Sequence, residues 1–135
     1  MTQSTPATPD YSFDLDRRKG LIRVVVRGLW DAETVKRFFA DVLAATEDMR
    51  RTHSSHDTLV DARDFPVQPA RITDGIAGLM QMGMEVNDGR TAVISHSHLG
   101  KMQGDRLNPD PRLKIFLVEA DAVAWLAEPQ SPATD

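Results

Sequence analysis

The first patterned stretch of the chain is residues 11–16, where Tyr11, Phe13 and Leu15 alternate with Ser12, Asp14 and Asp16. A period of two predicts a strand with one face in the core and the other in solvent. The polar Arg17-Arg18-Lys19-Gly20 then reverses the chain, and residues 21–27 (LIRVVVR) return as a β-branched, more deeply buried strand closed by Gly28. These two strands form a predicted hairpin. Asp31 stands as an N-cap before Val35, Phe38, Phe39, Val42, Leu43 and Met49, whose spacing is that of one helical stripe. The polar run 50–57 ends that helix, and Thr58-Leu59-Val60-Asp61-Ala62 reads as a short buried strand. Pro66 and Pro69 precede a second helix over 70 to about 83, with Ile72, Ile76, Leu79, Met80 and Met84 on its apolar side. A third buried strand follows at Thr91-Ala92-Val93-Ile94 after Asn87-Asp88-Gly89. Leu99, Met102 and Leu107 predict a helix from about Ser97, halted by Asn108-Pro109-Asp110-Pro111. A strand over 113–118 and a closing helix over 119–127 complete the order ββαβαβαβα. Alternation of strands and helices after a hairpin predicts an α/β fold, a mostly parallel sheet flanked by helices.

Composition narrows the functional classes. At 135 residues the chain is expected to form a single domain over 11–127, with disordered tails at 1–10 and 128–135, both rich in Ser, Thr, Pro and Ala. Sixteen Lys and Arg against 20 Asp and Glu leave a net charge of −4, which disfavours phosphate backbones; no nucleic-acid partner is expected. The absence of cysteine excludes disulfides, thiolate metal sites and a cysteine nucleophile. No stretch approaches the roughly 20 apolar residues of a membrane span, and the N-terminal residues lack the pattern of a signal peptide. The expectation is a cytoplasmic protein without membrane insertion.

Val60-Asp61-Ala62-Arg63-Asp64-Phe65 at a strand end, the run from Ser97 to Leu107 after the next strand, Ile115-Phe116, and Glu119-Ala120 through Trp125-Leu126 together resemble the SpoIIAA-like proteins of bacteria. That group is placed with the STAS (sulfate transporter and anti-sigma-factor antagonist) fold and, more loosely, with SEC14-like lipid-binding domains. The resemblance spans about 11–127. It implies a layered sheet-and-helix domain with its strand-to-helix loops gathered at one end. It also implies regulation through docking onto a kinase-like partner, switched by phosphorylation of a serine at the start of the helix after the central strand. The corresponding stretch here, 65–75 (FPVQPARITDG), holds no serine, and Thr73 is its one hydroxyl. Phosphorylation requires such a hydroxyl.

Among chemical candidates, His53/His56 and His96/His98 are paired, with Asp61 and Asp64 nearby, a set able to ligate zinc or iron. No helical metal register joins them, so no metal or cofactor is expected. His53 and His56 read as solvated loop residues, and His96/His98 as the pair that lines a pocket. Ser97, His98 and Lys101 resemble an anion cradle at a helix start, although Ser97 is also an ordinary N-cap. Asp61, Arg63 and Asp64 sit at a strand end, where open α/β sheets place ligand crevices; a local Arg63 ion pair explains them equally well. Asp61 and Asp64 fall on opposite faces of a strand, which disfavours paired acid/base work. Met80, Met82, Met84 and Met102 fill the core, or furnish a partner face where exposed. The leading expectation is a non-enzymatic STAS-like regulatory domain that docks a protein partner, or a second copy of itself, through its strand-to-helix loops. The competing expectation is a carrier that binds an anionic or lipid-like small molecule between the loops and the Met-bearing helices; a large apolar pocket beside Ser97 would favour it.

Overall fold

The computed structural model describes residues 10–98, 101–102 and 110–129. Its elements are β1 (Asp10–Asp16), β2 (Leu21–Arg27), α1 (Ala32–Arg50), β3 (Asp57–Asp64), α2 (Ala70–Val86), β4 (Thr91–Ser95), β5 (Leu113–Phe116) and α3 (Glu119–Ala127). Several boundaries differ from expectation, among them β3, expected over 58–62, which runs through Asp61, Arg63 and Asp64, and β4, which extends to Ser95. Asp10 belongs to β1, where its carboxylate meets Arg27 at 2.7 Å and fastens the hairpin end. The second helix runs past Gly83 to Val86, and the last strand stops at Phe116. Of the expected tails at 1–10 and 128–135, residues 1–9 and 130–135 lie outside the described residues, as does most of the helix expected from Ser97. Of that helix, His98, Lys101 and Met102 are helical, and the Lys101 N–H donates to Ser97 O at 2.9 Å.

The five strands lie in the order β1-β2-β3-β4-β5, with β1 antiparallel to β2 and every later pair parallel. Gly20 turns the hairpin with φ +66°, a left-handed conformation that glycine adopts at little cost. Because side chains alternate across a sheet, the register settles both faces. Val24 pairs with Val60 and Val60 with Val93, so these three share one face with Ile22, Val26 and Ala62. Leu59, Ala92 and Ile94 occupy the opposite face and bury against Ala122, Trp125 and Leu126 of α3.

Helix α1 is well specified locally. Asp31 Oδ1 accepts from the Thr34 N–H at 2.8 Å and from its hydroxyl at 2.7 Å, and Glu33 complements the positive end of the helix dipole. Its buried stripe is Thr34, Phe38, Ala45 and Met49. Phe38 meets Tyr11, Phe13 and Trp30 with ring centroids 4.9–5.6 Å apart, and Trp30 packs edge-on against Phe65 at 5.2 Å. Such aromatic contacts contribute about 0.5–1.5 kcal/mol each beyond the area they bury.

Helix α2 is different. It starts after Pro69 with no side-chain cap, carries no acid in its first turn and no base in its last, and contains Gly75, Gly78 and Gly83. Each interior glycine costs roughly 0.5–1 kcal/mol relative to alanine. Ile72 is its single buried residue. Its C-terminal end is tied from outside: Arg50 donates to Val86 O at 2.7 Å, and Arg112 to Met84 O at 2.9 Å and Asn87 O at 2.8 Å. At the preceding loop, the buried Gln68 accepts from the Trp30 N–H at 2.8 Å and donates to Gly28 O at 2.9 Å and Pro66 O at 2.8 Å. The bonds to Trp30 and Gly28 latch the chain after β3 to the chain after β2, and the bond to Pro66 braces the loop itself.

Candidate functional site: an apolar cavity between the sheet and two helices

Helix α2 reaches the core through Ile72, Ile76 and Leu79 but does not seal the sheet beneath it. Val60, Ala62 and Val93, in the middle of a five-stranded sheet, remain only half-buried. The space above them is a cavity of about 430 Å³, within the ~300–1,000 Å³ range of small-molecule sites. Its floor is the α1-facing side of β3 and β4, and its walls include Phe38 and Val42 of α1 and Ile76, Leu79 and Met80 of α2. Trp30 and Phe65 close one end. Leu43, Met82 and Val86 line it as well and are themselves exposed, so they rim an opening between the two helices. Met82 is exposed, the condition under which the methionines were expected to furnish a face for a partner or a second copy.

The polar lining residues are Thr46, His56, Thr58, Glu85, Asn87 and Thr91. They collect at one end. Thr58 and Thr91 are register partners at the start of β3 and β4, and α1 and α2 both bring their C-terminal turns there. His56 corrects the sequence reading, which took it for a solvated loop residue: it is 8% exposed. The Asn87 side chain accepts from the His56 N–H at 3.0 Å and donates to its carbonyl at 2.8 Å. A Cβ on Gly89 would stand 1.7 Å from the same carbonyl, so only glycine lets the two loops close over His56. Burial holds the imidazole below its ordinary pKa, the nearby Arg50 adds to that, and Asp57 opposes it.

The loop-end candidates form a separate arrangement. Opposite Val25 to Arg27, β3 carries one residue more than β2. At this irregularity the Arg63 N–H turns to Asp61 Oδ1 at 3.2 Å. The Arg63 guanidinium grips Asp61 at 2.9 and 2.7 Å and reaches Glu119 at 2.9 Å, and Glu119 also pairs with Arg23 at 3.1 Å. These partners hold the Asp61 and Glu119 carboxyls below the ordinary carboxylate range, through hydrogen bonds from Arg63 and Arg23 respectively. Arg63 is thus committed to protein carboxylates. Asp64 is exposed, and its carbonyl accepts from Gly28 N–H at 3.1 Å. Ser97 N–H donates to Ser95 Oγ at 3.1 Å, and His96 and His98 are exposed.

None of Asp61, Arg63, Asp64, His96, Ser97, His98 and Lys101 lines the cavity. His96 and His98 follow the end of β4, beyond the floor of this cavity. The described cavity lies under α2 and not beside Ser97, where residues 99–100 and 103–109 lie outside the described ones. Among the described residues no three His, Asp or Glu side chains converge as metal ligands, and no helix is long and apolar enough to cross a membrane. Sequence reasoning misplaced His56 in solvent and gave Gln68 and Glu119 no role. One usable signal existed for His56, whose even position continues the Thr58, Val60, Ala62 face backwards.

A sheet with one antiparallel edge hairpin, successive parallel strands and helices on both faces defines the SpoIIAA-like α/β fold. The sequence matches no family model and no curated protein. Among solved structures, the chain is similar to an uncharacterized protein of the DUF3478 family, with a SpoIIAA-like fold, from Shewanella loihica PV-4. The TM-score is 0.68 at 16% identity, covering 93% of this chain and 100% of that one. It is also similar to an anti-sigma factor antagonist from Mycobacterium paratuberculosis, with a TM-score of 0.61 at 14% identity, covering 90% of this chain and 99% of that one. At these identities the likeness is one of fold.

Proposed function

We propose that the protein is a non-enzymatic binding domain that takes up a small, predominantly apolar molecule between its sheet and helices α1 and α2. The observation that carries this reading is the cavity itself. A half-exposed valine floor at the centre of a sheet forfeits burial worth about 25 cal/mol per Å² of apolar surface, and a bound apolar molecule restores it. The weakly specified α2 suits entry and exit, because a helix with three glycines and one buried side chain opens at small cost. Native mass spectrometry of the protein purified without phosphate or imidazole tests the reading. The expected spectrum carries a small-molecule adduct that denaturing solvent removes. A bare chain that also fails to take up naphthalene, an apolar probe small enough for the cavity, overturns the proposal.

A second reading, docking of a protein partner through the strand-to-helix loops, draws on a different observation. Leu29, Val67, Met102 and Val118 follow β2, β3, β4 and β5 in turn, and all four are exposed, Val67 by 93%. Exposed apolar residues gathered at one end of a sheet are the composition of a binding surface. Likeness to an anti-sigma factor antagonist adds to this reading. The stretch 65–75 supplies no serine for a phosphorylation switch, and Thr73 lies exposed in the first turns of α2. Capture of a partner by the wild-type protein and its loss on Val67→Asp would favour docking.

A further inference from the structure

We infer that the cavity has a head-group end, and that its ligand is an aliphatic molecule with a single oxygen head, carboxylate or hydroxyl, held by the His56 imidazole. The inference rests on the proposed apolar-ligand function and adds to it the chemical class of the ligand. It comes from how polarity is distributed. The six polar lining residues all lie at the end formed by the start of β3 and β4 and the C-terminal turns of α1 and α2, while Trp30, Phe38, Val26 and Phe65 make the far end wholly apolar. A space polar at one end and apolar along the rest fits a molecule of the same construction.

His56 is the centre of that end. It is more than nine-tenths buried, and its backbone groups are consumed by the Asn87 side chain. Its imidazole carries no hydrogen bond among the described residues. Its ring nitrogens are not sealed from solvent, so an oxygen brought beside the ring gains a hydrogen bond in a largely apolar setting. Kept neutral by burial, the ring offers one N–H donor and one acceptor nitrogen. The hydroxyls of Thr46, Thr58 and Thr91 surround the same end. The charged groups facing it are Arg50 and Glu85 from the two helices and Asp57, whose carboxylate is already engaged by the Arg90 N–H at 2.8 Å.

The test compares decanoate, 1-decanol and naphthalene, three ligands that share apolar bulk and differ in the head. Dissociation constants are measured by calorimetry on the wild-type protein and on His56→Leu, with the His56 ring signals followed by NMR in the wild type. The expected result is that His56→Leu weakens an oxygen-headed ligand about tenfold, the loss of one hydrogen bond to a buried partner. Naphthalene should be bound unchanged or more tightly, and the ring signals should move with the oxygen-headed ligand only. Whether decanoate or 1-decanol binds more tightly identifies the head. If all three bind, His56→Leu weakens none of them and the ring signals stay in place, the head-group inference is overturned while the apolar site stands. If none binds, the functional proposal falls as well. The ring signals come from the wild-type chain, so the outcome does not depend on the variant folding.

Discussion

Replacing Val93 by phenylalanine separates a real cavity from a tightly packed interior. Val93 lies at the centre of β4, faces α2 and is half-buried on the cavity floor. Full burial of an apolar side chain is worth about 1.5–3 kcal/mol across the range from valine to phenylalanine, so the larger ring gains up to ~1.5 kcal/mol. Half burial reduces this to ~0.7 kcal/mol, and the lost rotamer freedom of the ring removes a few tenths more. Val93→Phe is therefore expected to leave stability unchanged or raise it by up to ~0.5 kcal/mol. Were α2 packed directly on the sheet, the same substitution would overpack the core and cost about 1–3 kcal/mol. At 135 residues, 1 kcal/mol moves Tm by roughly 4 °C. Thermal unfolding followed by circular dichroism thus distinguishes a shift between zero and about +2 °C from a fall of about 4–12 °C. The substitution should also abolish naphthalene uptake. A large fall in Tm would refute the cavity.

Three further outcomes test the frame around the cavity. Gln68→Leu removes the partners of the buried Trp30 N–H and the Gly28 carbonyl, and should lower stability by about 2–4 kcal/mol in urea unfolding; a loss under 0.5 kcal/mol would mean the latch contributes little. Gly78 has open space where a Cβ would stand, so Gly78→Ala should raise stability by about 0.5–1 kcal/mol, and a decrease would show that α2 is not helical there. His56 binds its proton less readily folded than unfolded, so stability should decline as pH falls below the ordinary imidazole value of about 6.5. Asp61 and Glu119 are depressed carboxylates whose contribution holds above the ordinary carboxylate pKa and is lost as pH falls from there through their lowered folded values. Urea midpoints from pH 7.5 to 5 should therefore slope in the wild type and flatten in His56→Gln; parallel curves would exclude His56 as the source.

Much of the fold was legible because local energetics write it into the chain. The period-two runs of β1 and β2, the stripe and Asp31 cap of α1, and the buried runs at Leu59-Val60 and Val93-Ile94 each reflect one element with one face to hide. Their order was enough for an α/β sheet with one antiparallel edge. The loop-end candidates were legible only as residue types. Asp61 and Arg63 do meet, as an ion pair that also recruits Glu119 from 56 positions along the chain, a distance no local pattern spans.

The cavity lay beyond the sequence for the same reason. The apolar side of α2, Ile72, Ile76 and Leu79, has the spacing of any helix that packs down on a sheet, and periodicity says which way a face points but not how near it comes. That distance is set by contacts remote in sequence: Arg50 and Arg112 on the carbonyls at the C-terminal end of α2, and Gln68 bridging the loops before it. The sequence by itself determined which residues are strand, helix and core. The tertiary structure alone decided that α2 leaves the middle of the sheet half-covered, with an apolar space that has a buried histidine at its polar end, because coverage is a balance among anchors that meet only once the chain has folded.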